Sequence, residues 1–324
     1  MKKVLVTGGA GYIGSVLVRL LLNNGFKVRV LDNLTYGGES LTECLNDPEF
    51  DFIKGDIRNI TDIEKAILGV DYVVHFAAIV GDPACAKQPI LANEVNLEAT
   101  KKLYVLSNKQ GVRKFIFAST CSNYGRMKDP EAFVNELSEL NPISIYAETK
   151  VAVEKYLLSQ DRNNNCKPTC LRFSTVYGLS PRLRFDLTVN EFTREIAMGR
   201  ELIVFGEQFW RPYCHVLDLS RAVLSVLNAN EEKVGFEVFN VGDTNENYQK
   251  QMIVNEILKQ LPDGKVKYIQ RTEDPRDYRV NFEKIKNQLN FKITYKVSDG
   301  ISQIKKILTD GFLNNPYDSK YKNT

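Results

Sequence analysis

Three side chains in the middle of this 324-residue sequence have types and spacing suited to moving a proton: Thr120, Tyr146 and Lys150. Tyr146 and Lys150 stand four apart, so on a helix they share one face, a turn from each other. A tyrosine is a useful base only if its phenolate is stabilised, because its reference pKa is about 10. A neighbouring ammonium lowers that value. Tyr146 then takes the proton of a substrate hydroxyl, which oxidises the alcohol if a hydride acceptor lies beside it. Thr120 belongs to ASTCSNYG (118–125), directly after the apolar run Lys114–Phe117. Ligands of open α/β sheets sit at the carboxyl ends of strands, so Ser119 and Thr120 are candidates to hydrogen-bond the reacting oxygen. The competing role for either is a turn cap, which Ser and Thr often supply.

The hydride acceptor is indicated at the other end of the chain. Lys3–Ser15 reads KVLVTGGAGYIGS, with glycines at Gly8, Gly11 and Gly14. Val4, Leu5 and Val6 read as a buried parallel strand, and Tyr12–Leu22 as an amphipathic helix. Glycines in such a turn allow close approach of a pyrophosphate, and the helix start offers free N–H groups. Asp32 ends a second strand, Lys27–Leu31, at the spacing expected for a ribose-binding acid. Its carboxylate accepts from both ribose hydroxyls and repels a 2′-phosphate, which selects NAD over NADP. An oxidised nicotinamide is positive, and it too lowers the pKa of Tyr146.

These residues need a scaffold, and the patterning predicts one. Strand candidates are Lys3–Thr7, Lys27–Leu31, Phe50–Lys54, Tyr72–Phe76, Lys114–Phe117 and Thr169–Phe173, with helical stretches between them, notably Pro89–Lys109 and Ile145–Gln160. This alternation predicts an α/β fold, a Rossmann-like doubly wound parallel sheet covered on both faces. After Tyr177 the rhythm breaks. Helices over Leu187–Met198 and Leu217–Asn228, and strands over Glu201–Phe205 and Phe236–Val241, imply a smaller C-terminal α+β lobe. Residues 1–176 then form the NAD-binding domain, with 213–242 returning to its sheet, and 177–324 mainly the substrate-binding lobe. The polar stretch Asn314–Thr324 is expected to fray.

Composition excludes several classes. The net charge of +3 is too small to argue for nucleic acid or a membrane surface. No apolar run approaches the length of a membrane span, and MKKVLVTGG runs into the glycine loop without a cleavage site. The six cysteines form no Cys-x-x-Cys pair, and His75 and His215 have no ligand partners nearby in sequence. The expectation is a cytoplasmic protein with reduced cysteines and no metal.

On these motifs the sequence resembles the extended short-chain dehydrogenase/reductase family, in its nucleotide-sugar epimerase/dehydratase branch, over nearly the whole chain. TGGAGYIGS resembles the cofactor loop, which adds Tyr12 and Ile13, and LDN adds Asn33 beside Asp32. GDIRN (55–59) is similar to the adenine-side contact, with Asp56 and Ile57. HFAA (75–78) and Asn96 match positions lining the cofactor, which implies Phe76, Ala77 and Ala78. RFSTVYG (172–178) resembles the strand end beside the nicotinamide, with Phe173 and Val176. Thr120, Tyr146 and Lys150 correspond to the family's Ser/Thr-Tyr-Lys triad, whose lysine also holds the nicotinamide ribose. The resemblance implies a nucleoside-diphosphate sugar as substrate. Its pyrophosphate calls for arginine. Arg211 in RPYCHVLD, Arg276 in DPRDYRV and Asn190 in TVNEF match positions that hold it, whereas His75 and His215 are expected to be structural. A homodimer through Pro89–Lys109 and Ile145–Gln160 is implied in the same way.

Departures narrow the activity. Dehydratases of the branch follow the catalytic Thr with Asp-Glu, and decarboxylating members carry a Glu in that place. Here Cys121 and Ser122 stand there. The 4-epimerases usually have Ser where Ala118 stands and Asn where Ser174 stands. The stretch LSPRLRFDLTVNEF, with DPRDYRV, looks most like bacterial nucleotide-heptose 4-dehydrogenases of surface-polysaccharide pathways. The expected activity is NAD-dependent oxidation at C4 of a nucleotide sugar, as an epimerase or a dehydrogenase. The alternative from another class is an NAD-binding regulator without chemistry.

Overall fold

The computed structural model describes residues 1–127, 129, 132–270 and 276–323. Six strands come first: β1 (Lys3–Thr7), β2 (Lys27–Asp32), β3 (Phe50–Lys54), β4 (Tyr72–His75), β5 (Lys114–Thr120) and β6 (Lys167–Phe173). Then follow β7 (Thr175–Tyr177), β8 (Leu202–Phe205), β9 (Trp210–His215), β10 (Glu237–Val241), β11 (Asn247–Gln249) and β12 (Val266–Ile269). The first six join β10 in a seven-stranded sheet of order β3-β2-β1-β4-β5-β6-β10, parallel throughout. The chain runs outward from β1 to β3 and returns to lay β4 on the other side of β1. That reversal opens a crevice at the carboxyl ends of β1 and β4, where open α/β sheets hold ligands.

The helices of the first half are α1 (Tyr12–Asn23), α2 (Ile60–Ile67), α3 (Asp82–Lys87), α4 (Pro89–Asn93), α5 (Ala99–Lys109) and α6 (Ile145–Leu158). Those of the second are α7 (Thr188–Ala197), α8 (Val216–Asn228), α9 (Glu231–Val234), α10 (Lys250–Gln260), α11 (Glu283–Leu289) and α12 (Val297–Thr309). Side chains of a strand alternate between faces. Val4 and Val6 therefore pack with Leu17 and Leu21 of α1 and Leu219 and Val223 of α8. Leu5, between them, joins Ile63 of α2, Leu103 of α5 and Val153 of α6 on the opposite face. Both faces are dry, which is why the strands read as continuous apolar runs.

A separate apolar cluster unites Val189, Phe192 and Ile196 of α7 with Ile253 and Ile257 of α10 and Ile301 of α12. Two small sheets edge it, β12-β8 and β11-β9-β7. The β7 and β9 strands were not separated from their surroundings by sequence patterning, because each is short and flanked by functional-looking motifs.

Pro89–Lys109 is helical throughout, as expected, with a π-helical stretch, Glu94–Glu98, between α4 and α5 that carries Asn96. One expectation changes: the tail does not fray. Ser319–Tyr321 makes a 3-10 turn, and residues up to Asn323 bond to the segment 182–186. Polar composition suggested solvent; the tail's backbone groups instead found fixed partners. Thr324 lies outside the described residues.

Candidate active site

The glycine loop is shaped as a cradle. Gly8 has φ of +73°, and a Cβ added there would sit 2.6 Å from the amide nitrogen of Ala77, just past β4. A Cβ on Gly14 would run into the carbonyl of Gly8. The loop therefore closes against β4 only with glycine in both places. Gly11 caps α1, whose first-turn N–H groups have no intrahelical acceptor. Tyr12 and Ile13 open that turn. Asp32 receives the Ala10 N–H at 3.0 Å and the Leu34 N–H at 2.8 Å. A carboxylate has about four acceptor sites, so two are left for ribose hydroxyls. Burial raises the Asp32 pKa, against the pull of those two backbone bonds. These features fit a dinucleotide, with the pyrophosphate on α1 and the adenosine ribose at Asp32.

Other candidates gather at the same sheet edge. Asn33 follows β2; Asp56 and Ile57 follow β3, with Asp56 ion-paired to Arg58 at 2.7 Å. Phe76, Ala77 and Ala78 follow β4, and the Phe76 ring meets that of Phe173 edge-on at 6.0 Å. Val176 lies on β7, just beyond Phe173 at the end of β6.

Tyr146 and Lys150 lie on α6, which Ser144 caps by accepting the Ala147 N–H. The Lys150 ammonium donates to the Ala118 carbonyl at 2.8 Å and lies 5.8 Å from the centroid of the Tyr146 ring. Burial pulls the Lys150 pKa down to about 8. The Tyr146 pKa, by contrast, is raised above its ordinary value, first by burial and further by nearby groups including Asp82. Desolvation thus outweighs the opposing pull of the Arg184 guanidinium. An oxidised nicotinamide beside the ring would lower the value, as the sequence reading expects. Thr120 ends β5, and its Oγ1 accepts the Ser122 N–H at 3.1 Å. It thus caps the turn that follows β5, and its hydroxyl hydrogen is left to donate.

Three candidates turn elsewhere. Ser119 is buried and donates to Glu154 Oε2 at 2.6 Å, away from the crevice, because adjacent strand residues face opposite ways. Glu154 also receives Asn123 Nδ2 and forms a buried ion pair with Arg172 at 2.6 Å. Asn190 is corrected as well. Fully buried, it accepts the Gly178 N–H and donates to the Tyr12 hydroxyl and to the Gly178 and Arg184 carbonyls. Its amide pins α7 to the start of α1 and has nothing left for a pyrophosphate. Asn96 faces the crevice only through Ile79, whose N–H and carbonyl its amide holds at 2.8 and 3.0 Å.

Arg211 is buried, donates to the Trp210 carbonyl at 2.6 Å and stacks 5.2 Å from the Tyr278 ring centroid. Arg276 pairs with Asp82 at 2.6 Å, which joins the loop after β4 to the C-terminal half. Asp274 and Pro275 of the DPRDYRV motif lie outside the described residues. Sequence reasoning did not single out Asp82 or Glu154. Glu154 was findable, standing four residues after Lys150 on the same helix.

The histidines are structural. His75 bonds Thr7 and Thr100 through its two ring nitrogens, at 2.6 and 2.8 Å, and burial pushes its pKa down to about 3. His215 caps α8 by accepting the Leu217 N–H. All six cysteines are buried and unpaired. Among the described residues no helix is long and apolar enough to cross a membrane.

Comparison with known proteins agrees with this geometry. The model of the NAD dependent epimerase/dehydratase family matches residues 4–242. A UDP-glucose 4-epimerase of Cyamopsis tetragonoloba is 29% identical, over 91% of this chain and 92% of its own. Among solved structures, the UDP-glucose 4-epimerase of Thermotoga maritima with UDP-glucose superposes with a TM-score of 0.85 at 28% identity, covering 96% and 100% of the two chains. The dTDP-glucose 4,6-dehydratase DesIV of Streptomyces venezuelae, with NAD bound, does so at 0.84 and 26%, covering 94% and 96%.

Proposed function

This chain belongs to the NAD-dependent epimerase/dehydratase family of nucleotide-sugar enzymes, and we propose that it oxidises C4 of a nucleoside-diphosphate sugar, as an epimerase or a C4 dehydrogenase of surface-polysaccharide sugar synthesis. One observation carries the proposal. Tyr146, whose hydroxyl has no partner among the described residues, shares a helix face with Lys150, while Thr120 keeps a hydroxyl hydrogen to donate.

NAD, when bound, accepts the hydride from the sugar carbon and adds positive charge near Tyr146. The protein does the rest. Tyr146 takes the hydroxyl proton. Thr120 donates to the same oxygen and fixes its position. Lys150, held by the Ala118 carbonyl, keeps a positive charge beside the phenolate and is poised for the nicotinamide ribose. Arg211 and Arg276 grip the substrate's pyrophosphate, and the lobe formed mainly by residues 177–324 closes over the sugar.

Water elimination is disfavoured by the residues after Thr120. Cys121 is buried with its thiol on the Arg172 carbonyl, and the Ser122 hydroxyl lies 3.4 Å from that of Tyr278. Neither supplies the carboxylates that expel water. The exposed Val105 on α5 supports pairing of two copies through α5 and α6, and six unpaired thiols suit a reducing, cytoplasmic compartment.

The test is incubation with excess NAD and a panel of UDP-, GDP- and dTDP-sugars, heptoses included. NADH absorbance that grows with one sugar identifies a dehydrogenase and its substrate. A new sugar isomer without NADH growth identifies an epimerase. If no sugar gives either outcome, the proposal is overturned.

A further inference from the structure

The tail that sequence patterning left in solvent docks beside the cofactor crevice. The Tyr321 carbonyl accepts the Phe185 N–H at 2.8 Å, and the Tyr321 ring packs edge-on against Phe185 at 5.6 Å. The Lys322 carbonyl accepts from Arg182 Nη2 at 3.0 Å, and the Asn323 N–H donates to Asp186 at 3.1 Å. The Tyr36 hydroxyl then donates to the Asn323 carbonyl at 3.2 Å. Tyr36 stands four residues after Asp32, in the loop that leaves the ribose-binding strand end. Its ring carries the Arg182 guanidinium 4.4 Å above it.

Arg182 itself is anchored next to the pyrophosphate cradle. Ser180, two residues earlier, donates to the Tyr12 carbonyl at 2.7 Å and lies 3.1 Å from the Ser15 hydroxyl. Tail, Arg182 and Tyr36 thus bridge from the start of α1 to the loop after β2. The adenosine half of a dinucleotide must pass between those two points. Arg182 is only 7% exposed, packed between the Lys322 carbonyl and the Tyr36 ring.

We propose that residues 317–323 form a strap which, with Tyr36 and Arg182, clasps the adenosine half of NAD and sets how long the cofactor stays bound. Tyr321, seated on Phe185, is the positioning residue that holds the strap shut. A closed clasp keeps reduced cofactor in place long enough to return its hydride; an open one favours release of NADH. This consequence rests on the sugar oxidation proposed above, but the clasp itself does not.

The test uses NADH alone. Full-length protein loaded with NADH is mixed with excess NAD, and the decay of bound NADH fluorescence gives the release rate. Tyr321→Ala and Tyr36→Ala are expected to release NADH about tenfold faster than the parent, since such changes act mainly on dissociation. Tyr36→Phe, which loses only the bond to Asn323, is expected to do so about twofold faster. Unchanged rates in all three overturn the proposal. A faster rate for Tyr36→Ala with an unchanged Tyr321→Ala also overturns it, because Tyr36 then acts without the strap. If Tyr321→Ala does not fold, Tyr36→Phe decides: a parent-like rate overturns the clasp and a faster one supports it. No sugar enters the assay, so its result is independent of whether the substrate panel succeeds.

Discussion

Ser119 and Thr120 are neighbours on β5 with nearly the same side chain, and they live in opposite surroundings. Ser119 points into a closed polar network. Glu154 there receives Ser119, Asn123, and both Nε and Nη2 of Arg172, which fills the acceptor sites a carboxylate has. Arg172 passes the chain of bonds on to the Tyr124 hydroxyl, which donates to Asn240 at 2.7 Å. Thr120 points the other way, where hydrogen-bonding capacity is left over: its own hydroxyl hydrogen and the Tyr146 hydroxyl. The filled side holds the strand ends in place, and the unfilled side is where a substrate and cofactor find partners. Buried polar groups are normally satisfied. The surplus at Thr120 and Tyr146, set against a network around Ser119 in which, among the described residues, only the Asn123 Oδ1 lacks a partner, is therefore a signature of a site.

That contrast sets the expected sizes of four effects. Tyr146→Phe removes the proton acceptor from the unfilled side. Turnover should fall by about 10²–10⁴-fold while NAD remains bound, checked by kcat and by the cofactor content of the purified protein. Glu154→Ala strikes the filled side. Leaving Arg172 buried and uncompensated should lower stability by about 3–5 kcal/mol, read from the denaturant midpoint. Replacing both partners with apolar residues of similar volume should restore most of that loss. Third in size is Thr120→Val, which keeps the shape but removes the donor to the reacting oxygen. A fall of about 10²-fold in kcat with little change in KM is expected. The smallest effect belongs to Ser119→Ala, at about 1 kcal/mol of stability with kcat within about twofold of the parent. A kcat loss for Ser119→Ala as large as that for Thr120→Val would erase the distinction between the two faces.

The first half of the molecule was legible because its signals are local. Apolar runs of strand length, helical periodicity and glycines at a turn are properties of ten or fifteen consecutive residues. Asp32, Tyr146 and Lys150 stand out as candidates for the same reason. Ser119 was harder, since its direction depends on where β5 ends, and β5 runs on to Thr120. Asn190 was misread because a match in position says nothing about which atoms its amide meets. Gly178, Tyr12 and Arg184, which bond it, come from three separate stretches of chain. The tail was misread on composition, because polar residues resemble a solvated end unless their backbone partners are known.

From its order of residue types alone this chain is committed to a parallel sheet, a dinucleotide cradle and a tyrosine–lysine pair on one helix face. Steric limits on glycine, strand alternation and helical pitch act over short distances and follow from the residues themselves. Folding in three dimensions added what those rules do not contain. It buried Lys150 and held its ammonium on the Ala118 carbonyl. It also filled one face of β5 while leaving the other open, and it laid residues 317–323 against Arg182 and Tyr36. Desolvation and hydrogen-bond satisfaction depend on every neighbour at once, and most of these neighbours are far away in the chain.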